Sequence, residues 1–172
     1  FVKLPFEIYK DNKFWVPYII NDELKSLKPE TNPAFENCEA EFWLALKNKK
    51  VVGRIGAIIN HSYNEKVGEK IGRFTRLEFF DDRGICKSLI ETAESWLKKR
   101  GMKRVLGPLG FNNLDSQGLL VESFDYLATM GSVYHLPYYH KYIEELGYSK
   151  EIDWIEFRFK YDAIPEKGLR LK

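Results

Sequence analysis

A chain of 172 residues fits one domain, and its 44% hydrophobic and 15% aromatic content supplies a substantial core, which excludes intrinsic disorder. Its 27 basic and 25 acidic residues leave a formal net charge of +2, so composition makes no electrostatic case for nucleic acid as a partner. Two cysteines, Cys38 and Cys86, are no disulfide framework and point to a reducing, cytoplasmic setting. No stretch approaches the length of a membrane span, the first residues lack the pattern of a signal peptide, and no membrane partner is expected. Phe1 in place of a starting Met, and the linker-like tail Ala163-Ile164-Pro165-Glu166-Lys167, suggest a piece of something longer. The expected organisation is a single domain over 1–161, with 162–172 a linker or the start of a further segment. A C-terminal second domain or a homodimer is the expected wider setting.

Along the chain, 1–9 alternates loosely and reads as a first strand, broken at Asp11-Asn12. Pro17 suits a first helical position, so a helix is predicted over about 17–27. The Pro- and Asn-rich stretch 28–38 reads as loop or short helix. Residues 41–47 carry Phe42, Leu44 and Leu46 at the two-residue period of a half-buried strand, and 51–59 is a second strand; with the turn Asn48-Lys49-Lys50 they form a hairpin. Polar 60–69 reads as a loop. A strand over 70–80 carries Ile71, Phe74, Leu77 and Phe79.

The strongest helix follows. Asp81 or Asp82 can cap it, Ile85, Leu89, Ala93 and Trp96 recur at helical spacing, and Gly101 after Lys98-Lys99-Arg100 stops it. A short strand is predicted over 102–106, a weaker helix over 114–124, a strand over 126–134, a helix over 137–146 and a last strand over 152–161. The fold class is therefore mixed α/β: a mostly antiparallel sheet of about seven strands with flanking helices and one right-handed βαβ crossover, which makes the strands at 70–80 and 102–106 parallel.

That crossover is where chemistry concentrates. The helix starts at the carboxyl end of a parallel strand, where free backbone N–H groups form an anion site. Gly84 leaves room for a phosphate, and Arg83 and Lys87 add positive charge, so a pyrophosphate-bearing cofactor fits. The plainer alternative is that these residues only solvate a helix start, and Asp81 and Asp82 would repel a phosphate unless turned away as caps.

Three strings resemble one family. Val51-Val52-Gly53-Arg54-Ile55-Gly56-Ala57 is similar to the third strand of the GCN5-related N-acetyltransferases (GNAT superfamily). Arg83-Gly84-Ile85-Cys86-Lys87-Ser88-Leu89 resembles their pyrophosphate loop and helix start, and Tyr142-Ile143-Glu144-Glu145-Leu146-Gly147-Tyr148 their helix ending in Leu-Gly-aromatic. The likeness spans about 1–161. The loop departs from the family pattern at Asp81, where a basic or amide residue is usual, and at Cys86, where a small one is. The resemblance implies a domain that transfers an acyl group from acetyl-CoA or another acyl-CoA directly to a small-molecule or peptide amine. It places the co-substrate against Leu77, Phe79, Arg83, Gly84, Ile85, Cys86, Lys87 and Asn112. It makes Glu78 the candidate general base. The family's acid tyrosine falls on Ile143; Tyr138, Tyr139 and Tyr142 lie nearby, and Tyr139 is carried as the catalytic candidate. Alternatives are a non-catalytic or regulatory module on this fold, and an aminoacyl transferase of the Fem type.

Other constellations are weaker. His61, His135 and His140 have no zinc spacing with the two cysteines, so no metal is expected. Cys86 sits at a helix start, where thiol pKa values fall, but reads as a packed thiol because no His is near in sequence. The run Ser132 to His140, aromatic and broken by Pro137, either lines a pocket or covers a sheet edge.

Overall fold

The structure, a computed structural model, describes residues 1–129 and 131–157. Its centre is a four-stranded sheet in the order β1 (Cys38–Lys47), β2 (Lys50–Asn60), β3 (Ile71–Phe79) and β4 (Arg104–Leu106). The first three strands are antiparallel, and β3 pairs with β4 in parallel through the helix α4 (Arg83–Lys99). The hairpin and the crossover are thus as the sequence predicts. Asn48 and Lys49 both adopt positive φ (52° and 63°), the conformation of a two-residue turn whose twist matches its strands.

Helix α4 is fixed at both ends. Asp82 is the N-cap, accepting from Gly84 N–H at 2.8 Å and Ile85 N–H at 3.3 Å. Lys98 and Lys99 occupy the last turn, and Gly101 leaves it at φ 81°, where a side chain would be strained. Cys86, Leu89, Ile90, Ala93 and Leu97 form its buried stripe against Ile55, Ala57, Ile59, Phe74, Leu77 and Phe79 of the sheet. Helix α5 (Tyr138–Glu145) joins the same core through Tyr139 and Ile143. The opposite face has a smaller core of Cys38, Ile58 and Phe111, with Ala34, Phe35 and Phe42 around it.

Several expected elements differ. Residues 1–9 are no strand: they hold α1 (Leu4–Ile8), with Pro5 in its first turn where a missing N–H costs nothing. The helix predicted over 17–27 is found as α2 (Ile20–Ser26), and 28–38 contains one 3₁₀ turn, Pro33–Glu36. The predicted loop 60–69 contains α3 (His61–Val67), capped by Asn60 and closed by Gly68; with no buried residue it has no apolar period to announce it. The predicted helix 114–124 is irregular. Asp115 Oδ2 instead accepts from Phe111 N–H, and Gly118 takes φ 84°. Neither the described part of 126–134 nor 152–157 is strand, and 158–161 lie outside the described residues. Among the described residues the sheet therefore has four strands rather than about seven.

One irregularity positions the site. Arg54 pairs with Glu78 and Gly56 with Thr75, so one residue on β2, Ile55, opposes two on β3, Arg76 and Leu77. Arg76 is the bulge, at φ 50°. It turns Leu77 and Phe79 into the α4 core and puts Glu78 opposite Arg54. Arg76 is held there by Glu23 of α2, through Nε at 2.7 Å and Nη2 at 3.3 Å, and by Ser26 Oγ at 2.9 Å.

The close approach of α4 to β3 is testable at Gly72. A Cβ there would lie 2.5 Å from Leu97 Cδ2 and 2.9 Å from its Cγ, and Leu97 is fully buried with nowhere to move. Gly72→Ala is expected to cost about 1–3 kcal/mol by overpacking, read as a lowered urea midpoint at unchanged slope.

Candidate active site

The β3–β4 ladder is short. Its rungs join Ile71, Gly72 and Arg73 to Arg104, Val105 and Leu106, and a last bond runs from Leu109 N–H to Phe74 O at 2.9 Å. Beyond Phe74 the strands part. The carboxyl end of β3 is then met by tyrosines rather than by a strand. Tyr138 Oη donates to Phe79 O at 2.7 Å, and Phe79 N–H donates to Tyr139 Oη at 3.1 Å.

Glu78 lies at this uncovered end and is only 9% exposed. Its Oε2 accepts from Tyr139 Oη and from Tyr9 Oη, each at 2.7 Å. Its cross-strand partner is Arg54, whose side chain is 3% exposed. Arg54 Nη1 donates to Tyr18 Oη at 3.1 Å and sits 3.9 Å from Glu23 Oε1. Burial raises the Glu78 pKa above the ordinary carboxylate value; the charge of Arg54 and the hydrogen bonds from Tyr9 and Tyr139 pull it back, while Glu23 adds to the rise. Burial also keeps both tyrosine hydroxyls protonated, well above their usual range. The result is a carboxylate poised above its usual titration, held by two fixed donors: the properties wanted of a general base.

At the other end of the site, the first turn of α4 presents Arg83, Gly84, Ile85 and Lys87. A Cβ added at Gly84 would meet one atom closely, Asp82 Oδ1 at 3.1 Å. The first free N–H groups are not empty-handed, because Asp82 caps them and is itself paired to Lys47 Nζ at 2.9 Å. That ion pair, then the bonds from Ile85 and Gly84, hold the Asp82 pKa low. Arg83 pairs with Glu145 at 2.7 Å, and Lys87 lies 3.7 Å from Glu91.

The residues 6–126 match the model of the Acetyltransferase (GNAT) family. The chain belongs to this family. It is 33% identical over 153 residues to Protein YghO of Escherichia coli (strain K12), covering 89% of this chain and 39% of that protein. It is 32% identical over 177 residues to the Bacterial ceramide synthase of Caulobacter vibrioides (strain NA1000 / CB15N), covering 99% and 45%. The chain thus spans less than half the length of these curated relatives. In fold it is similar to an aminoglycoside acetyltransferase, meta-AAC0020, from an uncultured soil metagenomic sample in complex with sisomicin, with TM-score 0.53 at 14% identity over 92% of this chain and 84% of that one. A putative acetyl transferase from Pyrococcus furiosus gives TM-score 0.50 at 20% identity, over 92% and 91%. These two likenesses concern the fold alone.

Against this family frame, the structure brings Glu78, Phe79 and Tyr139 together, and sets Arg83, Gly84, Ile85 and Lys87 at the start of α4. Leu77 and Phe79 turn their side chains into the core, 1% and 0% exposed, leaving their backbone at the strand edge. Cys86 is also fully buried, with its thiol pKa pushed up to about 12 by burial, so the fall expected at a helix start does not occur. Asn112 stands apart, its Oδ1 accepting from Leu114 N–H at 2.8 Å in its own turn. Sequence reasoning missed Tyr9 and Arg54 as partners of Glu78. The one available signal was the three-residue step from Phe74 to Leu77, which breaks the strand's alternation where the bulge lies. Among the described residues no cluster of three or more His, Cys, Asp or Glu is placed to hold a metal, and no helix is long and apolar enough to cross a membrane.

His135, from the aromatic run, is 6% exposed; its Nδ1 faces Leu120 N–H at 3.4 Å and its ring lies 5.0 Å from that of Tyr139. Burial pushes its pKa down to about 3 from the ordinary 6.5. Below the unfolded value the unfolded chain binds a proton that the folded one refuses, so stability present above 6.5 is lost as the pH falls towards 3. The urea midpoint of the wild type is expected to drop between neutral pH and about pH 5, and that of His135→Asn to drop less.

Proposed function

We propose that this domain is an acyl-CoA-dependent N-acyltransferase that passes an acyl group directly to an amine, with Glu78 as general base. The observation that carries the reading is the buried Glu78 carboxylate with two tyrosine hydroxyls on Oε2, placed where β3 and β4 part. Bound acyl-CoA supplies a thioester, an acyl group already activated for attack. Glu78, ionised above its raised pKa, accepts the proton that the amine loses as it forms the amide bond. Tyr139, protonated and bonded to Glu78, is the proton donor to the departing thiolate and regains a proton from Glu78, which has taken the one the amine lost. Acetyl-CoA is the first acyl donor to try, since the family is one of acetyltransferases. The name of the ceramide synthase relative supports N-acylation as the reaction class, because a ceramide is an amide.

The residues at the start of α4 fit a diphosphate once the half-buried Asp82 side chain turns away: Gly84 then leaves the approach open, and Lys47, Arg83 and Lys87 lie around it. The capped state of Asp82 favours the second reading, a GNAT-shaped module without transfer activity.

Calorimetric titration with acetyl-CoA and longer acyl-CoAs separates the two. Binding with thiol release on an amine panel is expected; no binding to any acyl-CoA would retire the transferase. Glu78→Gln is expected to slow turnover by about 10²–10⁴-fold while leaving acyl-CoA affinity in place. Gly84→Asp is expected to weaken acyl-CoA binding about tenfold or more by adding a charge at the phosphate approach, and unchanged affinity would move the diphosphate elsewhere.

A further inference from the structure

We propose that Tyr9 is a positioning residue for Glu78: its hydroxyl, reaching Oε2 from the residue that ends α1, orients the carboxylate and keeps it anionic. Tyr9 is 69 positions away in sequence and 1% exposed, and its bond to Oε2 is as short as the one from Tyr139. The two hydroxyls are 3.4 Å apart, and each has one proton to give. Tyr139 also accepts from Phe79 N–H, so its oxygen is tied to the strand; Tyr9 approaches from a different element. Its ring is fixed by packing, stacked on Trp15 at 5.1 Å and met edge-on by Tyr134 at 6.0 Å. The placement of the hydroxyl is thus set by aromatic contacts rather than by a mobile chain.

The charged and titratable groups facing Glu78 come from several elements: Tyr9 after α1, Tyr18 and Glu23 around α2, Arg54 on β2, and Tyr138 and Tyr139 on α5. Arg54 favours the anion through space and Glu23 opposes it. Among the described residues, Tyr9 and Tyr139 are the two that bond the carboxylate directly. A neutral donor aimed at a buried oxygen favours the ionised acid over the protonated one. Removing the Tyr9 hydroxyl therefore leaves Glu78 protonated over more of the pH range, and a base that is protonated cannot accept a proton.

The catalytic meaning of this role rests on Glu78 being the base proposed above; the role itself does not. The test is a carboxyl-carbon NMR titration of Glu78, assigned with Glu78→Gln, in the protein without acyl-CoA. Wild type is compared with Tyr9→Phe, and with Tyr134→Phe as a change in the same aromatic cluster that leaves the carboxylate's donors alone. The Glu78 midpoint is expected to move up in Tyr9→Phe and to stay put in Tyr134→Phe. In turnover, kcat/KM of Tyr9→Phe is expected to fall about tenfold at neutral pH, the worth of one hydrogen bond to a charge, and to recover as the pH rises. An unmoved Glu78 midpoint in Tyr9→Phe overturns the proposal. A moved midpoint with an unshifted turnover profile upholds Tyr9 and instead removes Glu78 as the base. Should Tyr9→Phe fail to fold, a fluorotyrosine at position 9 keeps shape and hydroxyl while strengthening the donor; the midpoint is then expected to move down, and an unmoved value overturns the proposal.

Discussion

One extra residue in β3, Arg76 at φ 50°, decides which way the strand's last side chains point. Without it, regular alternation would send Leu77 away from α4 and bury Glu78 in the apolar core. With it, Leu77 and Phe79 fill that core and Glu78 stands opposite Arg54. A left-handed conformation is unfavourable for an arginine by about 1 kcal/mol. The fork of hydrogen bonds from its guanidinium to Glu23 and Ser26 offsets this, so α2 serves as the clamp on the bulge. A peripheral helix with no buried residue of its own is thereby coupled to the orientation of the central carboxylate.

Buried polar groups gather on the side of the sheet away from α4. A buried charge is tolerated only with partners. Glu78 has two hydroxyls and a nearby guanidinium, Arg73 has the carbonyls of Gly110 and Phe111, and Arg54 is packed between the rings of Phe1 and Tyr18. The α4 face, by contrast, is a continuous hydrophobic cluster. The larger apolar core lies on one face of the sheet and the buried charges of Arg54, Arg73 and Glu78 on the other, with β3 contributing to both.

Where a signal was local, the sequence carried it. The α4 stripe, the Asp82 cap, the Gly101 stop and the β1–β2 turn are set by neighbours a few positions apart, and each is found where its residues predict. Pro5 was an equally local signal for α1, outweighed by a loose alternation in 1–9 that burial does not follow. The polar α3 depends on its caps, Asn60 and Gly68, which a search for apolar periods passes over. Glu78 was legible as a strand-end carboxylate, but its surroundings were not. Tyr9 and Tyr139 lie 69 and 61 positions from it, and nothing in their immediate sequence announces a shared oxygen. The strands expected at 126–134 and 152–161 do not form over the described residues; Ala128 N–H bonds the Phe14 carbonyl at 3.2 Å rather than a strand.

Asp82 gives the start of α4 a built-in occupant. Its carboxylate satisfies the Gly84 and Ile85 N–H groups and neutralises Lys47 at the tip of the β1–β2 hairpin, so the helix is complete without a ligand. An anion arriving there meets an intramolecular competitor tethered at high effective concentration. What it gains is the difference between two sets of anion contacts rather than the whole of one, and Lys47 is released to whichever anion remains. The start of α4 is thus stabilised from within the chain.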